Sequence, residues 1–359
     1  GAHDGRAAFT GPDKTTILVR NHELGNTSAT QVDVSKKYDS IARGGTTTLV
    51  IGSNRRVMKH WGSLGGTIRN CAGGPTPWGS WVSCEENLTL AGTGTPAATQ
   101  KHGYNFEVPV TSDIAVAEPV PLVAMGRFNH EAVAVDPNTG WVYQTEDEGN
   151  SCFYRFRPTM KGNLLTGGVL EALVVQGAPA DTRKGYLGFK NVPLSTSWVT
   201  IDTVDPATNA FATSVRGQAQ AKGAAIFARG EGAWYSNDLV YFTCTNGGNA
   251  ECGQIFAYNV KSGTLTLVVE SPSKNVLDFP DNITVAPFGD LILCEDGDAD
   301  NYVVGVNQNG ELYQFAENNI NNSEYAGACF SPDGQTLFVN IQSPGVTLAI
   351  WGPWNRRRS

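Results

Sequence analysis

The 359-residue sequence lacks any apolar run long enough to cross a membrane as a helix, and it lacks an excess of basic residues. Lys and Arg number 26 against 34 Asp and Glu, so the formal net charge is −8 at pH 7. This balance argues against nucleic acid or an anionic membrane as a partner, and the basic tail Asn355–Ser359 is too short to change that conclusion. If the substrate is an anion, bound cations have to reverse the sign of the site.

Several familiar catalytic signatures are also missing. The five histidines show neither HxH nor HxxxH spacing, which argues against a zinc site of the usual type. The sequence has no Walker loop and no GxSxG motif, which argues against a P-loop nucleotide site and a nucleophile-elbow hydrolase.

What the sequence does contain is 41 glycines and 18 prolines, with many Thr, Val and Asn residues, which favour short strands and tight turns. A weak repeat of strand, Asp/Asn/Gly turn and strand covers four segments: His130–Pro158, Glu231–Val269, Pro280–Phe315 and Ala326–Pro353. Two earlier segments, Thr16–Ile51 and Asn70–Pro109, fit the same plan more loosely. The pattern predicts an all-β, six-bladed β-propeller that forms a single domain over residues 1–359. An Ala-rich stretch predicts a short helical insertion on one face, at about 202–225.

Carboxylates recur near the strand ends of this repeat. Under the propeller hypothesis they converge on one channel, where they repel each other unless cations neutralise them. The candidate channel segments are Asn21–Glu23, Cys84–Glu86, His130–Glu131, Glu146–Asp147, Arg229–Glu231, Asp281–Asn282, Glu295–Asp296 and Glu324. Ligation by so many oxygens favours calcium or another hard cation. For any single carboxylate, a salt bridge or a solvated cap is an equally good interpretation.

The densest of these motifs is Asn70–Glu86, NCAGGPTPWGSWVSCEE, in which a predicted strand delivers a thiol and two carboxylates together: Cys84, Glu85 and Glu86. A soft ligand beside hard ones predicts a transition metal next to calcium. The alternative for Cys84 is a buried, inert thiol. Cys244 and Cys252 flank a Gly/Asn-rich loop, and we expect them to form a hairpin disulfide typical of an exported protein.

Arg229 lies two residues before Glu231, so both side chains point the same way from an extended strand. A guanidinium fixed beside a metal-bound carboxylate suits phosphate recognition. The alternative is an Arg–Glu salt bridge that lines the channel.

Together these motifs resemble the PhoX-type alkaline phosphatases. The segments that carry the resemblance span nearly the whole chain in order: Asn70–Glu86, Arg127–Ala132, Ala228–Gly232, Asp278–Asn282 and Ser323–Gly345. The resemblance implies an exported, periplasmic or extracellular, monomeric six-bladed propeller that hydrolyses small phosphate monoesters at an iron (Fe3+)–calcium cluster.

By motif match, the resemblance also implies site residues. Cys84 is the expected iron-binding thiolate and a catalytic residue, and Arg229 is expected to hold the phosphoryl group. Glu131 and Glu231 are expected to share the cluster. The further expected metal ligands are Glu23, Glu85, Glu86, Asp281, Glu295 and Glu324.

Two other functions remain compatible with a channel lined by acidic residues. One is a calcium-dependent lactonase or esterase propeller, and the other is a non-catalytic binding scaffold stabilised by calcium. Neither requires a cysteine ligand or an arginine that grips phosphate.

Overall fold

A computed structural model describes residues 1–354, so the basic tail 355–359 lies outside the described part of the chain. The described chain is built almost entirely from antiparallel strands joined by tight turns, which confirms the all-β prediction. Residues 1–354 contain a single α-helix, α1 (Val215–Ala221), which lies inside the predicted insertion. Four short 3-10 helices also occur, at Pro12–Lys14, Val123–Met125, Leu187–Phe189 and Phe211–Thr213.

The strands form five hydrogen-bonded sheets. The first sheet contains β1 (His3–Thr10), β2 (Thr16–His22), β3 (Gly44–Ile51) and β4 (Val57–Thr67). The second sheet contains β5 (Asn70–Pro75), β6 (Ser80–Glu85) and β7 (Asn105–Pro109). Each strand pairs with the next one along the chain, as expected for runs of β-branched and aromatic residues separated by turns.

The third sheet is the largest, with nine strands in the order β13-β14-β15-β16-β12-β11-β10-β9-β8. Its first half contains β8 (His130–Val135), β9 (Val142–Glu146), β10 (Tyr154–Met160), β11 (Asn163–Val175) and β12 (Leu194–Thr200). Its second half contains β13 (Gly230–Ser236), β14 (Leu239–Cys244), β15 (Gln254–Asn259) and β16 (Thr264–Glu270). Within the sheet, the ladder between the halves runs through β12 and β16, where Leu194 pairs with Leu265 and Ser195 with Thr264.

Two further sheets complete the chain. The fourth contains β17 (Pro280–Val285), β18 (Leu291–Glu295), β19 (Tyr302–Val306) and β20 (Leu312–Glu317). The fifth contains β21 (Tyr325–Phe330), β22 (Thr336–Ile341) and β23 (Val346–Trp351).

Six strands, β1, β5, β8, β13, β17 and β21, contact one another in chain order, and β21 returns to contact β1. We call these the inner strands. The two ends of the chain close the ring, because the Arg6 Nε donates to the Gly327 carbonyl at 2.8 Å and the Asn340 Nδ2 donates to the Asp4 carbonyl at 2.7 Å. The inner strands therefore surround one central channel.

Buried apolar side chains fill the spaces between neighbouring sheets. Stacked aromatic rings join the two halves of the nine-stranded sheet, with Phe153 and Phe242 centroids 4.2 Å apart. Cys244 packs into this same cluster, and the Cys252 Sγ instead donates to the Ala250 carbonyl. All seven cysteines are free, so the predicted Cys244–Cys252 disulfide is wrong. The strand register turns Cys244 into the core, away from its expected partner.

Candidate metal centre

Every inner strand carries a β-bulge within its first four residues. Two residues of the inner strand there oppose one residue of its neighbour, as Cys71 and Ala72 oppose Cys84. The six bulge pairs are Asp4–Gly5, Cys71–Ala72, Glu131–Ala132, Glu231–Gly232, Asp281–Asn282 and Gly327–Ala328. A bulge bends the strand and re-aims a side chain. Five of the six bulges therefore present a carboxylate or a thiol, and the sixth presents a glycine.

The neighbouring strands contribute a second set of acids. Four of the inner strands are followed along the chain by a strand that ends directly before a carboxylate residue. These carboxylates are Glu23 after β2, Glu86 after β6, Asp147 after β9 and Asp296 after β18. Because β-bulge residues and strand ends lie at the same edge of the ring, the two sets of acids meet.

Four groups of three ligands result, and within each group the ligand atoms lie within 4.8 Å of one another. Consecutive groups share a residue, first Cys71, then Glu131, then Asp281. The groups therefore form one continuous band, which we call the ligand belt. The belt consists of Asp4, Glu23, Cys71, Glu86, Glu131, Glu231, Asp281, Asp296 and Glu324.

The belt brings several buried carboxyl groups close together, and their negative charges need compensation by cations. Burial, followed by the charge of Asp281, raises the pKa of Asp4 and of Glu131 well above the usual range. Burial and the neighbouring carboxylates raise the pKa of Glu231 and Glu324 in the same way, and that of Asp281 to about 7. Carboxylates this close are costly to ionise without a compensating positive charge. The donor set of carboxylates and one thiol therefore fits metal ions.

Two arginines border the belt in matching positions. Arg69 immediately precedes β5 and Arg229 immediately precedes β13, with left-handed φ values of 48° and 46°. Arg229 donates from Nε and Nη2 to the Asp147 carboxylate at 2.8 and 3.0 Å, and from Nη2 to Glu231 at 2.7 Å. Arg69 bridges Glu23, at 2.6 Å, and Glu86. The two-residue spacing predicted that the Arg229 and Glu231 side chains point the same way, and their hydrogen bond confirms this prediction.

Two predicted ligands lie outside the belt, because they anchor the backbone instead. Glu85 accepts hydrogen bonds from the backbone N–H of Ile68 and Gly103, both at 2.9 Å, and pairs with His102 at 2.7 Å. Glu295 accepts from the N–H groups of Asp278 and Tyr302 at 2.8 and 2.9 Å. Their lone pairs are already engaged, and the next residue, Glu86 or Asp296, faces the belt.

The structure also separates the two cysteines of the Asn70–Glu86 motif. Cys84 is fully buried in an apolar cluster with Val82, Met125 and Phe128, whereas the Cys71 Sγ lies 3.1 Å from a Glu86 oxygen. We expected the Cys84 thiol to face the channel, but in the structure the Cys71 thiol does so instead. Cys84 is the single residue opposite the Cys71–Ala72 bulge, and its side chain packs into the apolar cluster instead of reaching the channel.

Of the predicted residues, Glu23, Glu86, Glu131, Glu231, Asp281 and Glu324 do lie in the belt. The candidate ligands predicted from the sequence did not include Asp4 or Cys71, which lie in the belt, and they included Glu295 instead of its neighbour Asp296. A signal for the first two was present, because the inner strands share a short pattern of an acid or thiol followed by a small residue: HDG, NCA, HEA, GEG and PDN. Aligning these tripeptides would have selected the second residue of each.

Solved structures of other proteins are similar to this fold. A structure of Pseudomonas fluorescens PhoX in complex with vanadate, a transition-state analogue, is similar with a TM-score of 0.67 and 19% identity, covering 95% of this chain and 84% of that one. A gluconolactonase from Xanthomonas campestris gives a TM-score of 0.48 and 13% identity, covering 98% and 86% of the two chains. No curated protein matches the sequence.

The first of these similarities supports the propeller fold. The family match is more extensive, since residues 1–345 match the family described as alkaline phosphatase PhoX. The chain therefore belongs to the alkaline phosphatase PhoX family.

Proposed function

We propose that this metal-dependent phosphatase hydrolyses phosphate monoesters at a cluster of metal ions held by the ligand belt, at one end of the channel of a six-bladed propeller. Its reaction class, phosphoric monoester hydrolysis, is that of its family. The observation that carries the proposal is the series of four ligand groups that share residues with one another. The six inner strands with matching bulges support the blade count, with β8–β11 and β13–β16 as separate blades joined by β12.

The chemistry of the donors suggests which metals bind. Iron (Fe3+) suits the group in which the Cys71 thiolate joins Glu86 and Glu131, because a soft sulfur ligand favours a transition metal. Calcium suits the group of Asp281, Asp296 and Glu324, which offers only oxygen. When bound, such ions supply positive charge that neutralises the phosphoryl oxygens and lowers the pKa of a coordinated water.

Arg229 is the residue that we assign to the phosphoryl group. Its Nε and Nη2 are held by Asp147 and Glu231, while Nη1 makes no hydrogen bond to any residue in the described range 1–354. The side chain is 31% exposed, so Nη1 can donate to an oxygen of the substrate. Because Asp147 fixes the guanidinium plane, this donor is oriented before substrate arrives.

The remaining expectations concern the setting of the enzyme. We expect small phosphate esters as substrates, a monomeric state and an exported location, periplasmic or extracellular. Within residues 1–354, no helix has the length and apolar character needed to span a membrane. The Pseudomonas fluorescens PhoX structure holds vanadate, and we expect vanadate to inhibit this enzyme as well.

The two cysteines provide the test of this proposal. We expect Cys71→Ser to lower the rate of p-nitrophenyl phosphate hydrolysis at least 100-fold and to reduce the iron content measured by elemental analysis, because the thiolate ligand is lost. Cys84→Ser is the matched control, with an identical substitution opposite the same bulge, and it should retain iron and most activity. Full iron and normal turnover in Cys71→Ser, with loss of both in Cys84→Ser, would restore Cys84 as the ligand.

A further inference from the structure

Directly below the ligand belt, the channel contains a small cavity of about 20 Å³. Its lining includes the residue that follows the bulge ligand on five inner strands, namely Gly5, Ala72, Ala132, Gly232 and Asn282. A cavity of roughly 10–15 Å³ on the same measure already holds one water molecule. The cavity therefore has room for one water-sized guest and excludes a polyatomic oxyanion such as phosphate.

One cationic side chain lines this cavity. Arg6 is 2% exposed, and its Nε donates to the Gly327 carbonyl at 2.8 Å. The Nη1 and Nη2 atoms of Arg6 are buried and have no hydrogen-bond partner among the described residues. No Asp or Glu oxygen in residues 1–354 lies within ion-pair distance of the Arg6 guanidinium either.

The surroundings of Arg6 do not replace the missing counter-charge. The ionisable groups that act on it are the Cys294 and Cys329 thiols, of which the Cys329 sulfur also approaches the Arg6 side chain as a weak acceptor, and its cationic neighbours include Arg20. A guanidinium keeps its proton at neutral pH, so the Arg6 side chain is a buried cation. A buried charge with two unsatisfied donor groups is strongly unfavourable unless a guest of opposite sign or a water completes its hydrogen bonds.

We propose that the cavity binds one monatomic anion of the chloride class, held by the Nη1 and Nη2 groups of Arg6. The size of the cavity selects against oxyanions, and the unpaired guanidinium selects an anion over a neutral guest. This site is separate from the one proposed for the phosphoryl group, because it lies below the belt and is too small for phosphate.

Bromide tests the proposal in the intact, metal-loaded enzyme. Crystals soaked in sodium bromide should show an anomalous scattering peak in the channel, within hydrogen-bonding distance of the Arg6 Nη atoms. Density there without an anomalous signal would identify a water and overturn the proposal. This measurement uses the wild-type chain, so it does not depend on how well any variant folds.

Thermal stability gives a second readout. Replacing sodium gluconate by sodium chloride at equal ionic strength should raise the melting temperature of the wild-type enzyme by about 2 °C, because a ligand of the folded state stabilises it by mass action. Arg6→Met should abolish that rise. Arg155→Met is the matched control, since Arg155 is also largely buried but is paired with Glu171, and it should keep the rise. An equal melting temperature of the wild type in both salts would count against the site.

Discussion

Glu85 and Glu86 are adjacent, chemically identical and have opposite surroundings. Glu85 is fully buried and engaged by three backbone N–H groups and by His102, whereas Glu86 contacts Arg69 and the Cys71 thiol at the ligand belt. Successive side chains of a strand point to opposite sides, so one residue along the chain separates a structural acid from a candidate metal ligand.

The same contrast between two adjacent acids recurs at the ends of β18 and β9. Glu295 accepts backbone hydrogen bonds while Asp296 joins the belt. Glu146 accepts from Tyr154 and pairs with Arg216 of α1, while Asp147 orients Arg229. In each pair the first acid fixes the strand end and the second acid faces the channel. An acidic pair at a strand end therefore contains one residue for the fold and one for the site.

The largest expected effect falls on the second acid of a pair. We expect Glu86→Gln to lower kcat/KM for p-nitrophenyl phosphate roughly 100-fold, or about 3 kcal/mol, because a charged ligand of the belt is lost. The melting temperature should change little, since the side chain is partly exposed. Asp296→Asn should behave alike. A variant of either residue with normal turnover would place that residue outside the metal site.

A smaller effect, on stability, is expected for the first acid. Glu85→Gln replaces a carboxylate oxygen by an amide donor that faces backbone N–H groups, so we expect unfolding free energy to fall by about 2 kcal/mol. Denaturant titration measures this loss, and the activity of the remaining folded enzyme should stay near the wild-type value. Loss of activity at unchanged stability would remove the distinction between Glu85 and Glu86.

The smallest expected effect is the change with pH in the contribution of His102 to stability. Burial alone lowers the pKa of His102, but the charge and hydrogen bond of Glu85, together with Asp39, raise it above the ordinary value of 6.5. Because the pKa of His102 is raised in the folded state, protonated His102 stabilises the folded protein. This stabilisation is complete below pH 6.5 and disappears as pH rises through the folded-state pKa of His102.

His102→Gln tests this sign. The stability gap between wild type and variant should be about 1 kcal/mol below pH 6.5 and should shrink towards alkaline pH, as measured by denaturant titration at several pH values. A gap that is constant or that widens with pH would show that His102 is not stabilised as a cation.

Much of this architecture was predictable from the sequence. Repeated strand–turn–strand segments predicted an all-β chain, and the Ala-rich interruption correctly located α1. Six of the expected ligands lie in the belt because acids at strand ends recur in step with the repeat. The family resemblance is confirmed by the match over residues 1–345.

The choice between neighbouring residues was not predictable from composition or spacing. Cys71 and Cys84 both belong to β-strands, and only the bulge in β5 decides which thiol reaches the channel. Glu295 and Asp296 are adjacent, so their side chains point to opposite sides. Which of the two faces the channel depends on the exact strand register, and the sequence does not reveal the length of the turn that sets this register. The absence of a Cys244–Cys252 bond likewise depends on a strand register that loop composition does not encode.

The central claim is that the ligand belt holds the metal ions on which hydrolysis depends, and metal analysis of the purified wild-type enzyme with a parallel phosphatase assay tests it most directly. We expect several metal ions per chain, with iron and calcium among them. Hydrolysis should be lost when a chelator removes the ions and should return when they are restored. Undiminished hydrolysis by enzyme shown to be free of metal would contradict it.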